Sequence, residues 1–295
     1  MRTIAVVLVV LAAAPAAFAR PAPAEPMSPV RLIDVRYRAH DGTTRNAWLM
    51  LPSWYGPMRH PRIPLVISPH GRGVTALRNT RLWGTLPARG AFAVINPEGQ
   101  GRRLTLYSWG DPGQIQDLAR MPQILHRAIR WLRLGPAYAV GGSMGGQETL
   151  LLVARHPHLL AGAVSFDAPV NLATRFRQFP LIVGGGRLQR LAVAEIGGTP
   201  WRDPRAWAAR SPLDAARAIA DSGVPLQIWW STRDRIVVDG DEQSGLLYRD
   251  ILRLNPAAPV TQVVGTWRHT AEMHWFRRLP MALRELGLLP DREAV

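Results

Sequence analysis

From Val30 onward the chain alternates apolar and polar positions, then runs apolar in short bursts. Residues 30–37 and 47–51, with Asp41-Gly42 between them, predict two antiparallel strands joined by a turn. Short apolar runs at 64–68 and 91–95 predict buried strands, and those at 137–140, 161–166, 226–230 and 260–264 predict further strands. Between them the spacing turns helical. Over 116–134, Leu118, Met121, Ile124, Leu125, Ile129 and Leu132 share one face. Further helical patterns cover 147–155, 212–221, 242–254 and 271–286. Strands alternating with helices predict an α/β fold: a mostly parallel sheet of about eight strands, covered by helices on both faces. Residues 30–295 read as one domain, in which 171–210 is an irregular insertion.

The first residues follow a different pattern. Arg2 precedes an apolar stretch from Ile4 to Ala14, and Ala17-Phe18-Ala19 supplies small residues at the positions a signal peptidase reads. Residues 1–19 are expected to be a secretory signal. Residues 20–29, with Pro21, Pro23, Pro26 and Pro29, are expected to form an extended, poorly ordered leader. The mature chain would then be extracellular, without a stable membrane anchor. No later run reaches 18 apolar residues, which excludes a multispan membrane protein. The chain has no cysteine, so disulfides and thiolate metal sites are impossible. A domain of this size has core enough without such staples.

The net charge of +15 comes entirely from arginine, since lysine is absent. The arginines are scattered, and no block of five or six like charges occurs. This pattern suits a compositional bias better than a nucleic-acid site, so no nucleic-acid partner is expected.

Specific chemistry begins where the strand at 137–140 enters Gly141-Gly142-Ser143-Met144-Gly145-Gly146 and a helix follows. A G-x-S-x-G stretch in that setting is a nucleophile elbow. Glycines at 141 and 145 remove Cβ atoms that would collide in the strained turn. Ser143 is the expected nucleophile. Its acid and base are expected later in the chain, each past a late strand. Asp234 sits in the turn after 226–230, with Asp239 and Asp241 as competitors further out. His269 follows 260–264. Its competitor His274 would lie about one turn inside the predicted helix, pointing away from the apolar stripe of Phe276, Leu279, Leu283 and Leu286. Thr270 would cap that helix. An oxyanion hole needs two N–H donors. Met144 is expected to give one and Arg72, in the loop Ser68-Pro69-His70-Gly71-Arg72-Gly73, the other. His70 is expected to hold that loop.

Other clusters carry less. His269 to His274 matches neither H-E-x-x-H nor H-x-x-E-H, so no metal is expected. Trp109, Trp201, Trp207 and Trp267 fall in loops that would crown the site, either lining an acyl pocket or packing the insertion.

Together these residues resemble the α/β-hydrolase superfamily. The doubled glycines around Ser143, the stretch Gly197-Gly198-Thr199-Pro200-Trp201, then Pro204, Trp207 and Ser211-Pro212, are similar to the catalytic domain of the prolyl oligopeptidase group. The likeness spans roughly residues 30–290. It implies a Ser–His–Asp hydrolase with Ser143, Asp234 and His269 as the triad and no cofactor. That group carries a β-propeller ahead of its hydrolase domain. The residues before the third strand are expected to be too few for one. The stretch from Arg81 to Arg102, with Trp83, Arg89-Gly90 and Asn96-Pro97-Glu98-Gly99, also looks like secreted esterases related to polyester depolymerases and feruloyl esterases. The expected substrate is therefore a small-molecule or polymeric carboxylic ester. A serine peptidase lacking a propeller and a non-catalytic binding relative are the alternatives.

Overall fold

β1 (Val30–Arg38) and β2 (Thr44–Pro52) form the expected antiparallel pair, in register from Val30 opposite Pro52 to Arg38 opposite Thr44. At their turn the Asp41 carboxylate accepts the Thr43 N–H at 3.0 Å, and Gly42 takes φ 79°, a conformation open to a residue without Cβ. The computed structural model describes residues 28–291. The expected signal at 1–19 and the leader up to Met27 lie outside the described residues.

β3 (Ile63–Ile67), β4 (Ala93–Pro97), β5 (Leu134–Gly142), β6 (Leu160–Phe166), β7 (Leu226–Ser231) and β8 (Val260–Gly265) complete one eight-stranded sheet. Its order is β1-β2-β4-β3-β5-β6-β7-β8. Only β2 runs against its neighbours, and β3 to β8 are parallel. Alternating side chains send the central strands into two cores. Leu65, Ile67, Ala139 and Ile228 meet Met121, Leu125 and Leu150 on one face. Val66, Val140, Val164 and Trp229 meet Leu279, Leu283 and Met273 on the other. Each fully buried aliphatic side chain contributes about 1.5–3 kcal/mol, so both faces hold the sheet.

The helices differ from the pattern at their ends. The 116–134 segment folds as a helix over Pro112–Ala128. Asp111 sets its start by accepting the Gly113 and Gln114 N–H groups, and Pro112 suits the first helical position, where no N–H is needed. Leu134 is then released to begin β5. The 147–155 helix begins at Met144, directly after the elbow. The 212–221 and 242–254 patterns each split, into a tight turn followed by Ala216–Ala220 and a wide turn followed by Leu246–Leu254.

Two expectations are overturned. Residues 171–210 are not irregular. They form a helical cap of Leu172–Gln178, Gly185–Ile196 and Pro204–Ala208. Asn171 and Asp203 cap the outer helices, while Gly184 and Gly197, both left-handed, bound the middle one. The polar and glycine-rich punctuation that looked like loop is end-capping. The cap has its own core, in which Phe176, Phe179, Ile196 and Trp207 meet Trp109. Second, only Leu279–Glu285 of the predicted 271–286 helix forms. Pro280 cannot donate an N–H or accept a preceding helical turn, so it stands at the helix start and 266–278 runs as a chain of turns. No helix among the described residues is long and apolar enough to cross a membrane.

Candidate active site

Ser143 directly follows β5 at φ 57°, ψ −126°, backbone strain that persists only where its surroundings enforce it. Its N–H donates to Phe166 O at 2.8 Å and its carbonyl accepts the Gln147 N–H at 3.0 Å. The glycines do what the pattern required. A Cβ on Gly141 would lie 2.3 Å from Gly145 O, and one on Gly145 would lie 2.2 Å from Pro69 O. The second contact shows that Gly145 also lets the elbow approach the loop after β3.

β7 and β8 run parallel to β5, so their carboxyl ends reach the same edge of the sheet. There His269 Nδ1 meets Asp234 Oδ2 at 2.6 Å. Asp234 Oδ1 accepts the Ile236 and Val237 N–H groups at 2.7 and 3.1 Å. Asp239 and Asp241 are placed otherwise, and Asp241 accepts the Trp230 indole N–H at 2.8 Å. A carboxylate only accepts, so His269 Nδ1 is the donor, and in the neutral ring Nε2 carries the lone pair.

Asp167 is a residue the sequence reading missed. It follows β6 directly at φ 46° and is buried. It accepts the Ser231 N–H at 3.0 Å, the Trp267 indole N–H at 3.0 Å and the Thr270 N–H at 2.7 Å. These bonds tie the ends of β6 and β7 to the segment that carries His269. Burial, and then the neighbouring Asp234 against the pull of His269, raise its carboxyl to about 6. Asp167, Asp234 and His269 place ligand-type atoms within 4.8 Å of one another. Every carboxylate oxygen among them already accepts an N–H, so the trio is organised as a hydrogen-bond network. Thr270, at φ 55°, donates to Asp167 and caps no helix.

The loop after β3 is held by His70. The buried imidazole accepts the Gly99 N–H on Nε2 at 2.7 Å, which assigns the proton to Nδ1 and makes it the donor to Gly71 O at 2.9 Å. Burial holds this ring below the usual histidine range, consistent with the neutral form. In a trans peptide the N–H points opposite to the carbonyl. Fixing Gly71 C=O therefore fixes the direction of the Arg72 N–H. Gly71 lies beside the serine, since a Cβ on it would stand 3.9 Å from Ser143 Cβ. Among the described residues neither the Arg72 N–H nor the Met144 N–H has an acceptor.

Among the described residues, a larger and a smaller cavity open on Ser143. The larger, about 570 Å³, is bordered by Arg72, Arg78, Arg81, His269 and His274. The smaller, about 20 Å³, is bordered by Met144, Trp109, Arg175, Phe179 and Val237. His274 is thus at the larger cavity, contrary to expectation. The helix whose phase turned it to solvent does not form, and Phe276 of the supposed apolar stripe is 59% exposed. Asp234 nonetheless pairs with His269. Of the four loop tryptophans, Trp109 alone borders either cavity among the described residues. Trp207 packs the cap, Trp201 is exposed, and Trp267 holds Asp167.

Behind the smaller cavity, buried polar groups join the cap to the body. Glu195 accepts the Arg102, Arg103 and Leu104 N–H groups at 2.6, 2.8 and 2.8 Å. Arg210 donates to Ser108 O at 2.6 Å and Asp111 at 2.8 Å. Glu148, fully buried and hydrogen-bonded to Ser108, is raised to about 8 by desolvation.

No protein-family model matches the chain, and no curated protein matches it in sequence. Solved structures do resemble it. The acylaminoacyl peptidase of Pyrococcus horikoshii superposes with a TM-score of 0.67 at 14% identity, over 91% of this chain and 43% of the peptidase. An esterase of Pyrococcus furiosus gives 0.60 at 15% identity, over 91% of this chain and 95% of the esterase. A fungal esterase of Rhizomucor miehei gives 0.65 at 12% identity, over 88% and 83% respectively. The chain spans less than half the length of the acylaminoacyl peptidase chains it matches. With the strand order above, these likenesses show the α/β-hydrolase fold.

Proposed function

We propose that this chain of α/β-hydrolase fold is a serine hydrolase that cleaves carboxylic esters, exported by the signal at 1–19. The observation that carries the reading is a convergence at one sheet edge. A strained Ser143, a His269 oriented by Asp234, and Arg72, whose N–H has no acceptor among the described residues, border one cavity, and Met144, whose N–H likewise has none, borders the second cavity that opens on the same serine. In this reading His269 Nε2 takes the Ser143 proton as Oγ bonds to the acyl carbon. The carbonyl oxygen becomes an oxyanion between the Met144 and Arg72 N–H groups. The imidazolium, stabilised by Asp234, then gives its proton to the departing alkoxide. Water repeats the sequence on the acyl-enzyme and releases the acid. The Ser143 hydroxyl has no hydrogen-bond partner among the described residues, and such contacts commonly tighten only when substrate binds. The chemistry requires no cofactor or metal, and the alcohol portion has the larger cavity to occupy. The named esterases support an ester over a peptide bond because this chain matches most of their length.

The test is covalent labelling with a fluorophosphonate, read by mass spectrometry, beside a panel of alkyl esters and aminoacyl anilides. Label on Ser143 and ester turnover, both lost in Ser143→Ala, are expected. Labelling that survives in Ser143→Ala overturns the nucleophile. Turnover of anilides alone replaces the esterase with a peptidase.

A further inference from the structure

Arg175 is a cation that the proposed reaction leaves unused. It lies on the cap helix Leu172–Gln178 and is 4% exposed. Among the described residues its guanidinium forms no ion pair. Its Cζ stands 4.8 Å from the centre of the Phe179 ring, and its Nη1 is buried without a hydrogen-bond acceptor. The same side chain borders the small cavity together with Ser143 and Met144.

A buried guanidinium without a carboxylate is costly, because desolvation is not repaid by an opposite charge. Contact with the Phe179 ring offsets part of that cost. Arg72 adds to it: burial, then repulsion from Arg72, bring Arg175 down to about 10 against the attraction of Asp234. Asp234 itself is engaged by His269 and two backbone N–H groups. The cavity beside the serine is therefore bordered by two arginines, Arg72 and Arg175, and the Arg175 side chain has no hydrogen-bond acceptor among the described residues. A ligand bringing negative charge and two acceptor oxygens would match that charge and supply that acceptor at once.

Resting on the reading that Ser143 is acylated, we propose that Arg175 selects esters whose acyl chain ends in a carboxylate, that is, monoesters of short dicarboxylic acids. The Met144 N–H, at the same cavity, would fix the carbonyl end of the chain while Arg175 fixes the other. A volume of about 20 Å³ holds one or two water-sized groups, which matches the two oxygens of a carboxylate. Trp109 and Phe179 wall the cavity and keep the chain short. A long neutral chain would leave the guanidinium unpaired and lack room.

The experiment compares monomethyl succinate with methyl butyrate, similar in length and different in charge, by proton release at fixed ionic strength. The full chain and its Arg175→Met and Arg175→Lys variants are measured. The parent protein is expected to prefer monomethyl succinate in kcat/KM. Arg175→Met should lower the ratio of the two by about 10- to 100-fold, the loss of one charged hydrogen-bonding partner, and Arg175→Lys should lower it less. A parent preference for butyrate, or a ratio that Arg175→Met leaves unchanged, overturns the proposal. A second measurement needs no variant. N-methylsuccinamate should slow fluorophosphonate labelling of the parent protein at lower concentration than N-methylbutyramide, and equal potency of the two counts against Arg175. If neither ester turns over and Ser143 takes no label, the underlying serine-hydrolase reading fails and takes this proposal with it. If both esters turn over without regard to charge, the proposal about Arg175 fails alone.

Discussion

The two oxygens of Asp234 have different tasks: Oδ1 is anchored by the Ile236 and Val237 N–H groups, and Oδ2 faces His269 Nδ1. Replacement by Asn separates them. The amide oxygen would keep the anchor, and the NH₂ would face the ring. His269 would then have to accept at Nδ1 and carry its proton on Nε2, the wrong tautomer for a base. Asp234→Asn is expected to lower kcat on an ester by about 10⁴, the cost of the same exchange in a serine protease, with the thermal melt little changed. Full turnover would remove Asp234 from the reaction. At this scale the sequence was readable where meaning is local. Ser143 is announced by its glycines, and Asp234 and His269 by the strands they follow. Asp167 and Arg175 gave no such signal. One is an aspartate after a strand and the other an arginine among 36 basic residues. Each acquires its role only from what the fold brings against it.

Among the elements, the loop after β3 depends most on a single side chain. His70 bridges Gly99 N–H and Gly71 C=O, so the aim of the Arg72 N–H is set from outside the peptide. His70→Ala is expected to lower kcat by about 10²–10³, the usual cost of one oxyanion donor, with KM changed far less. His70→Gln, which keeps one donor and one acceptor, should recover part of the loss. Equal changes in kcat/KM and KM, with kcat intact, would mean that the loop shapes binding alone. Element types were legible from periodicity, and their ends were not. Asp111-Pro112 starts a helix before its apolar face begins, and Pro280 delays one whose face was already drawn. The second error carried His274 to the wrong side. A phase argument inherits whatever error lies in the helix it assumes.

For the whole molecule, alternating strands and helices predict the layers, because the apolar runs of the central strands report burial on both faces, and the short turn without a helix between the first two strands predicts the antiparallel start; the edge strand β8, apolar in sequence, has no buried residue. The cap was not legible, because its outer helices are short and all three pack toward one another and toward Trp109 rather than toward the sheet. One group joining the cap to the body is Glu195, fully buried, with one carboxylate accepting three successive N–H groups from Arg102, Arg103 and Leu104. Gly101 permits the approach, since a Cβ there would stand 2.3 Å from the Glu195 Cδ. The consequence is one of isotope exchange with solvent. Surface loops normally open at little cost and trade their amide hydrogens quickly. These three amides belong to a loop by sequence and to the buried interior by bonding, so in deuterated water they should exchange as slowly as strand amides. Glu195→Gln puts an NH₂ donor where an oxygen accepted, and should release part of that protection together with protection in the Gly185–Ile196 helix. Rapid exchange at 102–104 in the parent protein would mean that cap and body come apart in solution. Slow exchange would mean that cap and body hold together as one piece in solution.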